Sequence, residues 1–191
     1  SGSIQLWRMD IDGSNLRLLT SGPGFAGDCS RSDQWVLYTT FGAGGFSIWK
    51  VSIDGGEPVQ VINKYAAIPS VSPDGQFIAC YDVDEATRGT KIGIFSIDGG
   101  DPVKEFDLIQ TAGSGSPAVR WMPDGRSIAY IATQGGVSNI WLQPIDGGPP
   151  KQMTDFKSDR IYWFDISRDG KQLALSRGPQ TNDVVLMKDF R

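Results

Sequence analysis

The side chains of this sequence that could do chemistry are carboxylates and serine hydroxyls, because the chain of 191 residues contains no histidine. That absence removes the Ser-His-Asp triad, the Cys-His dyad and nearly every zinc site that uses imidazole. The nearest approach to a nucleophile elbow, Gly-Ser-Gly-Ser-Pro at residues 113–117, departs from Gly-x-Ser-x-Gly and is interpreted as a loop. The sequence also lacks a P-loop lysine motif and a dinucleotide fingerprint. We therefore predict no enzymatic activity and no cofactor.

Two acidic stretches are candidates for cation binding. Residues 10–15 read Asp-Ile-Asp-Gly-Ser-Asn, but the alternating oxygen ligands and the later glutamate of a calcium loop are missing, so a hairpin turn is the better interpretation. Residues 82–90 hold three carboxylates and one arginine. They form either a solvated loop or a partner- or cation-binding loop that uses Asp84 and Arg88. Paired carboxylates for glycoside hydrolysis have no support in the spacing, and we predict no metal site.

The composition excludes several classes of partner. Lys and Arg number 18 and Asp and Glu number 22, a net charge of −4 without charge runs, so we expect no nucleic-acid surface. No apolar stretch approaches the ~20 residues of a membrane-spanning helix, so we predict no membrane insertion. Cys29 and Cys80 fall in similar apolar surroundings, which leaves two alternatives, a disulfide or two small buried thiols.

Two phrases alternate along the chain. The first, Ser-Pro-Asp-Gly between two apolar runs, stands at residues 68–82. It returns nearly unchanged at 118–132, as Met-Pro-Asp-Gly, and at 163–177, as Ser-Arg-Asp-Gly, and a more divergent form stands at 27–40. The second places Asp-Gly after an apolar run with an aromatic residue and recurs every forty-odd residues. Asp-Gly between apolar runs is a strong hairpin signal, because a type I′ turn needs positive φ at both central positions. The chain is therefore a repeat of paired hairpins.

One repeat contains four short predicted strands, which we letter A (68–72), B (77–82), C (91–97) and D (103–106). Strand B is apolar or small on both faces, which requires sheets that stack face to face. Radial stacking of four-stranded antiparallel sheets gives a β-propeller, and a long sandwich is the alternative. We predict an all-β fold, a partial or open β-propeller over residues 1–191, with strands C and D of a first blade at 1–20, blades at 21–62, 63–106 and 107–154, and an incomplete blade at 155–191.

The paired phrases resemble the WD-like repeat of TolB-type β-propellers over essentially the whole chain. The closing residues 183–191 are similar to the end of propellers attached to bacterial winged-helix regulators, and related blades occur in bacterial Ser/Thr kinases and prolyl-oligopeptidase-like peptidases. The resemblance implies a bacterial module that binds or senses a protein or peptide, within a larger envelope or signalling protein of the periplasm or cell envelope. A second function stays open, an accessory propeller that gates substrate to the hydrolase domain of a serine peptidase.

Polar residues of strand A are candidates for binding, because strand A lines the central channel of a propeller. The residue four positions before each turn aspartate is Cys29, Ser70, Arg120 or Asp165. These residues form either a polar channel lining or, for Arg120 with Asp165, an interblade ion pair. The B–C and D–A links vary between repeats, and variable loops on a rigid scaffold carry specificity. The candidate binding residues of the channel and the loop face are Ser70, Arg120, Asp165, Tyr162, Arg160, Arg88 and Asp84.

The predicted first and last blades are incomplete, with the chain ending after a strand C near residue 188. An open blade exposes an apolar face and unpaired strand edges, which favours association. We therefore expect these edges to pair with a second copy or with further blades.

Overall fold

The computed structural model describes residues 4–30, 34–42, 45–83, 89–109 and 118–180. Every regular element in these ranges is a β-strand. In chain order the strands are β1 (Trp7–Arg8), β2 (Arg17–Leu18), β3 (Phe25–Cys29), β4 (Trp35–Gly42), β5 (Gly45–Ser52), β6 (Val59–Ile62), β7 (Ala66–Val71), β8 (Phe77–Val83), β9 (Thr90–Ser96), β10 (Lys104–Asp107), β11 (Val119–Trp121), β12 (Ser127–Gln134), β13 (Val137–Pro144), β14 (Lys151–Gln152), β15 (Arg160–Ile166) and β16 (Leu173–Gly178).

The described strands form antiparallel sheets in which the strand order follows the chain order. Three sheets have four strands, and we call them blade 1 (β3–β6), blade 2 (β7–β10) and blade 3 (β11–β14). Strands β1 and β2 pair before blade 1, and β15 and β16 pair after blade 3. The predicted all-β architecture is confirmed, and the four strands of blade 2 lie within two residues of the predicted bounds.

The hydrophobic core lies between neighbouring sheets. Ile48 and Ile62 of blade 1 pack with Ile78 and Phe95 of blade 2 in one buried cluster. A second cluster joins blade 2 to blade 3, and a third joins blade 3 to β15 and β16. Strand β8 is covered on both faces, since residues 78–81 are all buried. A strand with two covered faces is the result of blades stacked against each other on both sides.

The A–B turns are held by their own side chains. In blade 2, Asp74 Oδ1 accepts hydrogen bonds from the Ser72 hydroxyl at 2.5 Å and from the N–H of Gln76 at 3.1 Å. These bonds, the Ser72 hydroxyl first, lower the pKa of the Asp74 carboxyl because they favour its charged form. Gly75 takes a φ of 75°, which a residue with a Cβ adopts only with strain. The Pro-Asp-Gly phrase is therefore a tight turn, as predicted.

Neighbouring A–B turns lie side by side at one end of the blades, which we call the turn end. A Cβ built on Gly125 would lie 3.8 Å from the Pro73 ring of the preceding blade, and one on Gly170 would lie 3.6 Å from Pro123. Because the strands are antiparallel, the B–C and D–A connections lie at the opposite end, which we call the loop end.

Basic side chains join the β1–β2 sheet to blade 1, and blade 1 to blade 2, near the C–D turns. Arg8 Nη1 donates to the carbonyl oxygen of Ile53 at 3.3 Å, and Lys50 Nζ donates to that of Ile97 at 3.2 Å. Both cations directly follow a tryptophan, so they occupy the same position of the repeat. These contacts cannot be predicted from the sequence, because nothing in a basic residue of a strand indicates which backbone carbonyl of another blade it reaches.

Candidate functional site

Polar side chains of the innermost strands connect one blade to the next. Asp28 of β3 accepts a hydrogen bond from the N–H of Val71 of β7 at 2.9 Å. One blade further, the Ser70 hydroxyl of β7 accepts a hydrogen bond from the N–H of Trp121 of β11 at 3.1 Å. We call this series of contacts, together with the ion pair described next, the inner ladder. The inner ladder fixes the innermost strands of neighbouring blades against each other.

Arg120 and Asp165 form the last contact of the inner ladder. Arg120 Nε lies 3.3 Å from Asp165 Oδ1, which also accepts the N–H of Ile166 at 2.8 Å. The guanidinium carbon lies 5.0 Å from the centre of the Trp163 ring, and Nη1 donates to the carbonyl of Val119 at 2.9 Å. The structure therefore shows the interblade ion pair that the sequence left as an alternative. A binding role for Ser70, Arg120 or Asp165 stays a prediction.

The first member of the inner ladder is Asp28, which the sequence analysis missed in favour of Cys29. The Ser30 hydroxyl accepts a hydrogen bond from the first N–H of β4 at 3.1 Å, as the Ser72 hydroxyl does from the first N–H of β8 at 2.9 Å. Ser30 therefore corresponds to Ser72. An alignment of the repeats that uses Asp33 as the turn aspartate is displaced by one residue in blade 1. Aligning the repeats on these serines would have found Asp28.

The two cysteines are not joined by a disulfide: Cys80 is buried in β8, and Cys29 is exposed on β3. Burial raises the pKa of the Cys80 thiol well above its usual value, and the nearby Asp82 carboxylate raises it further. The prediction of two buried thiols is wrong for Cys29. Successive side chains of a strand face opposite ways, so Asp28 turns toward blade 2 and Cys29 turns toward β1–β2, where no inner strand among the described residues covers it.

A cavity of about 370 Å³ lies at the loop end, where β15 begins. Arg160 lines it together with Gly136, Asp159, Pro179 and Gln180. The Arg160 side chain is half-buried, yet its guanidinium has no hydrogen-bond or ion-pair partner within the described ranges. An arginine held in a cavity without a partner keeps five donors available to a ligand.

The guanidinium of the second arginine of this region, Arg177, is already bound by neighbouring residues. Its Nη2 lies 3.2 Å from Asp159 Oδ2 and donates to the carbonyl oxygen of Ser158 at 2.7 Å, while its guanidinium carbon lies 4.3 Å from the centre of the Phe156 ring. Arg177 therefore neutralises Asp159, the one carboxylate among the described residues that line the cavity. Within the described lining, the uncompensated charge is that of Arg160.

Tyr162 fixes the wall of this cavity. The register between β15 and β16 shifts between Ile161 and Trp163, so Tyr162 is an extra residue in β15, and a bulge of this kind redirects a side chain. The Tyr162 hydroxyl donates to the carbonyl oxygen of Pro179 at 3.2 Å. The structure thus brings two of the predicted binding residues, Arg160 and Tyr162, to one site at the loop end, away from the inner ladder.

The remaining predicted residues, Asp84 and Arg88, lie outside the described residues, and their role stays a prediction. Just before them, at the end of β8, Asp82 is buried and accepts a hydrogen bond from Lys64 Nζ at 2.6 Å. Lys64 Nζ also lies 5.0 Å from the centre of the Phe95 ring. This pair joins the D–A link before blade 2 to the end of strand β8.

Two further features concern the described part of the chain. No group of three acidic or cysteine side chains gathers there as ligands for a metal ion. None of its elements is a helix long and apolar enough to cross a membrane.

No model of a protein family matches the sequence. Among curated proteins, an uncharacterized protein of Agrobacterium fabrum is 28% identical over 139 residues, which are 67% of this chain and 47% of that protein. Tricorn protease homolog 1 of Streptomyces coelicolor is 37% identical over 57 residues, which are 30% of this chain and 5% of that protein. The chain spans less than half the length of either relative.

Solved structures share the fold over nearly the whole chain. TolB from Acinetobacter baumannii matches 94% of this chain and 44% of its own, with a TM-score of 0.76 and 20% identity. The β-propeller domain of the Trilobed protease from Pyrococcus furiosus matches 92% of this chain and 56% of its own, with a TM-score of 0.60 and 13% identity. Identities this low carry information on fold alone. The chain folds as a segment of a TolB-type β-propeller.

Proposed function

We propose that this chain is a non-enzymatic β-propeller segment that binds a protein or peptide at its loop end. The observation that carries the proposal is the half-buried guanidinium of Arg160, which has no partner among the described residues and lines a cavity of about 370 Å³. A cavity of this size accepts one or two side chains of a partner. Rigid sheets on both sides hold it in place, which is how a repeat scaffold presents a binding site.

The chemistry of the cavity favours a carboxylate ligand. A guanidinium binds a carboxylate through two parallel N–H donors, and the bond is strengthened where water is partly excluded. Arg177 already neutralises Asp159, so a second negative charge can enter beside Arg160. The amide of Gln180 lines the same cavity and adds a polar contact. The partner is thus a peptide or protein that presents an acidic side chain or its C-terminal carboxylate.

The experiment compares Arg160→Ala with Arg126→Ala on an array of synthetic peptides, with and without acidic residues, whose C-termini are free or amidated. Arg126 is an exposed arginine of the turn end, so it is a matched control. We expect a carboxylate-dependent subset of peptides to bind, Arg160→Ala to weaken binding about tenfold or more, and Arg126→Ala to leave it unchanged. Equal binding by the wild type and Arg160→Ala would refute the site.

We propose that the protein lies outside the cytoplasm, in the periplasm or the cell envelope. The support is the likeness to TolB-type propellers, a resemblance that implies an envelope protein. A fusion of the complete gene product to a reporter that is active only after export tests the location, and activity confined to the cytoplasm would contradict it.

A second candidate function is an accessory propeller of a peptidase. The short match to a Tricorn protease homolog and the shared fold with the propeller of the Trilobed protease favour it. In that case a hydrolase region would be encoded in the same reading frame, and the propeller would control access of substrates. An upstream kinase or DNA-binding region would instead support a sensor.

A further inference from the structure

The outer part of blade 1 carries a second cavity, independent of Arg160. It measures about 500 Å³ and opens at the loop end. Three aromatic and three polar side chains dominate its lining, and we call it the blade-1 cleft: Phe41, Phe46, Trp49, Gln60, Asn63 and Lys64. Its size falls within the range of about 300–1,000 Å³ that is usual for small-molecule sites.

The aromatic wall of the blade-1 cleft is rigid. The Phe46 ring lies 5.2 Å from the Phe41 ring, 5.2 Å from the Tyr65 ring and 5.7 Å from the Phe25 ring, measured between centres. Tyr65 packs so tightly on Gly45 that a Cβ there would lie 2.7 Å from the tyrosine ring. Phe41 nevertheless leaves 61% of its surface exposed. Folding does not need that exposed ring, whereas a ligand with an apolar face can use it.

The polar wall offers side-chain amides without a free charge. Gln60 Nε2 donates to Asn63 Oδ1 at 3.0 Å, which orients both amides. Gln60 Oε1 and Asn63 Nδ2 have no further partner in the part of the chain that the structure describes. Lys64 is paired with the buried Asp82, so it adds no net charge to the cleft. The acceptor of Gln60 and the donor of Asn63 therefore belong to residues that line the cleft beside its aromatic wall.

Blade 3 contains a smaller cavity at the corresponding place, and both ends of its Asn139 amide are bonded. Trp141 pairs across strands with Gln152, as Trp49 pairs with Gln60, but the cavity there measures only about 240 Å³. Asn139 occupies the repeat position that a serine has in blade 1. Asn139 Oδ1 accepts a hydrogen bond from the N–H of Phe156 at 2.7 Å. The Gln152 amide donates to a backbone carbonyl at 2.6 Å. Blade 1 thus departs from its repeat by a larger cavity and by the Asn63 amide, whose donor has no partner among the described residues.

We propose that the blade-1 cleft binds a neutral sugar ring. A pyranose presents an axial C–H face that packs on Phe41 and Trp49, and equatorial hydroxyls that both donate and accept hydrogen bonds. The hydroxyls match the free acceptor of Gln60 and the free donor of Asn63. An acidic peptide is the less favoured ligand, because no unpaired cation is found among the described residues that line the cleft. We expect such peptides at Arg160 instead.

Saturation-transfer NMR with the methyl glycosides of glucose, galactose and N-acetylglucosamine, each at millimolar concentration, tests this proposal. We expect transfer to the ring protons of at least one glycoside and a shift of the Trp49 indole N–H signal. The exposed position of Phe41 means that Phe41→Ala leaves the fold intact, and it should weaken binding about tenfold. Gln60→Ala should weaken it too, while the matched Gln152→Ala in blade 3 should not.

Three outcomes would overturn the proposal: no transfer to any of the three glycosides, transfer that persists in Phe41→Ala, or equal losses in Gln60→Ala and Gln152→Ala. A peptide that shifts the Trp49 signal when no glycoside does would also assign the cleft to another class of ligand. None of these outcomes affects the site at Arg160, which is tested by its own variant.

Discussion

Asp28 is a single carboxylate that satisfies two backbone N–H groups. Its Oδ2 accepts the N–H of Val71 from the next blade, and its Oδ1 accepts the N–H of Cys29, both at 2.9 Å. Ser70 repeats the first of these contacts one blade later. Polar residues that the sequence predicts to line the channel thus stabilise the fold, because they hold the innermost strands together.

Asp28→Ala should lower the free energy of unfolding by about 1–3 kcal/mol, because the N–H of Val71 loses its acceptor in a region that water reaches poorly. Cys29→Ala is the matched control, and its exposed side chain should make the change smaller than about 0.5 kcal/mol. Urea denaturation followed by tryptophan fluorescence measures both. Were Cys29→Ala the more destabilising of the two, the repeat alignment on Ser30 would be wrong.

The strands and turns show what could be predicted from the sequence and what could not. Asp-Gly and Pro-Asp-Gly specify their turns locally, through glycines with positive φ such as Gly75 and Gly99, so the hairpins followed from the sequence. The predicted type I′ geometry is wrong for the Asp-Gly turns, because none of their aspartates has positive φ. The partner of Lys50 is a carbonyl in another blade, and the neutralisation of Asp159 by Arg177 depends on how β15 and β16 pair. Such contacts join residues far apart in sequence, and no local pattern encodes them.

The C–D turn of blade 2 offers a test of blade packing at the level of one element. Gly99 and Gly100 both have positive φ, 91° and 97°, so alanine strains the backbone at either position. Only at Gly99 would a Cβ also overlap the carbonyl oxygen of Val61 in blade 1. Gly100 has nothing within 4 Å of the same position.

Gly100→Ala should therefore cost about 1 kcal/mol from backbone strain alone. Gly99→Ala should cost at least about 2 kcal/mol more, because blades 1 and 2 must move apart. Thermal unfolding of the two variants gives the comparison. Equal losses of stability would mean that the C–D turn does not press on the neighbouring blade.

An apolar surface lies on the first sheet, which strands β1 and β2 form. Strands β1 and β2 and the residues around them expose large hydrophobic side chains that no inner strand among the described residues covers: Ile4, Trp7, Met9, Ile11, Leu16 and Leu18. Clusters of this kind on one face favour association. We propose that this surface drives pairing of the isolated segment with a second copy.

Sedimentation at increasing protein concentration tests this proposal. The average mass should rise with concentration in the wild type, and the double substitution Trp7→Lys with Leu18→Lys, which are cross-strand partners, should suppress the rise. Val103→Lys alters an exposed apolar residue of blade 2 and should have no effect. A monodisperse monomer at micromolar wild-type concentration would contradict the proposal.

Our central proposal is that this propeller segment binds a carboxylate-bearing peptide at its loop end. Amide hydrogen exchange, with and without the strongest peptide of the array, is the decisive test. We expect slower exchange around Gly136, at the start of β15 and at the end of β16, with the turn end unchanged and the effect absent in Arg160→Ala. Protection confined to the Pro-Asp-Gly turns, or protection that survives Arg160→Ala, would contradict it.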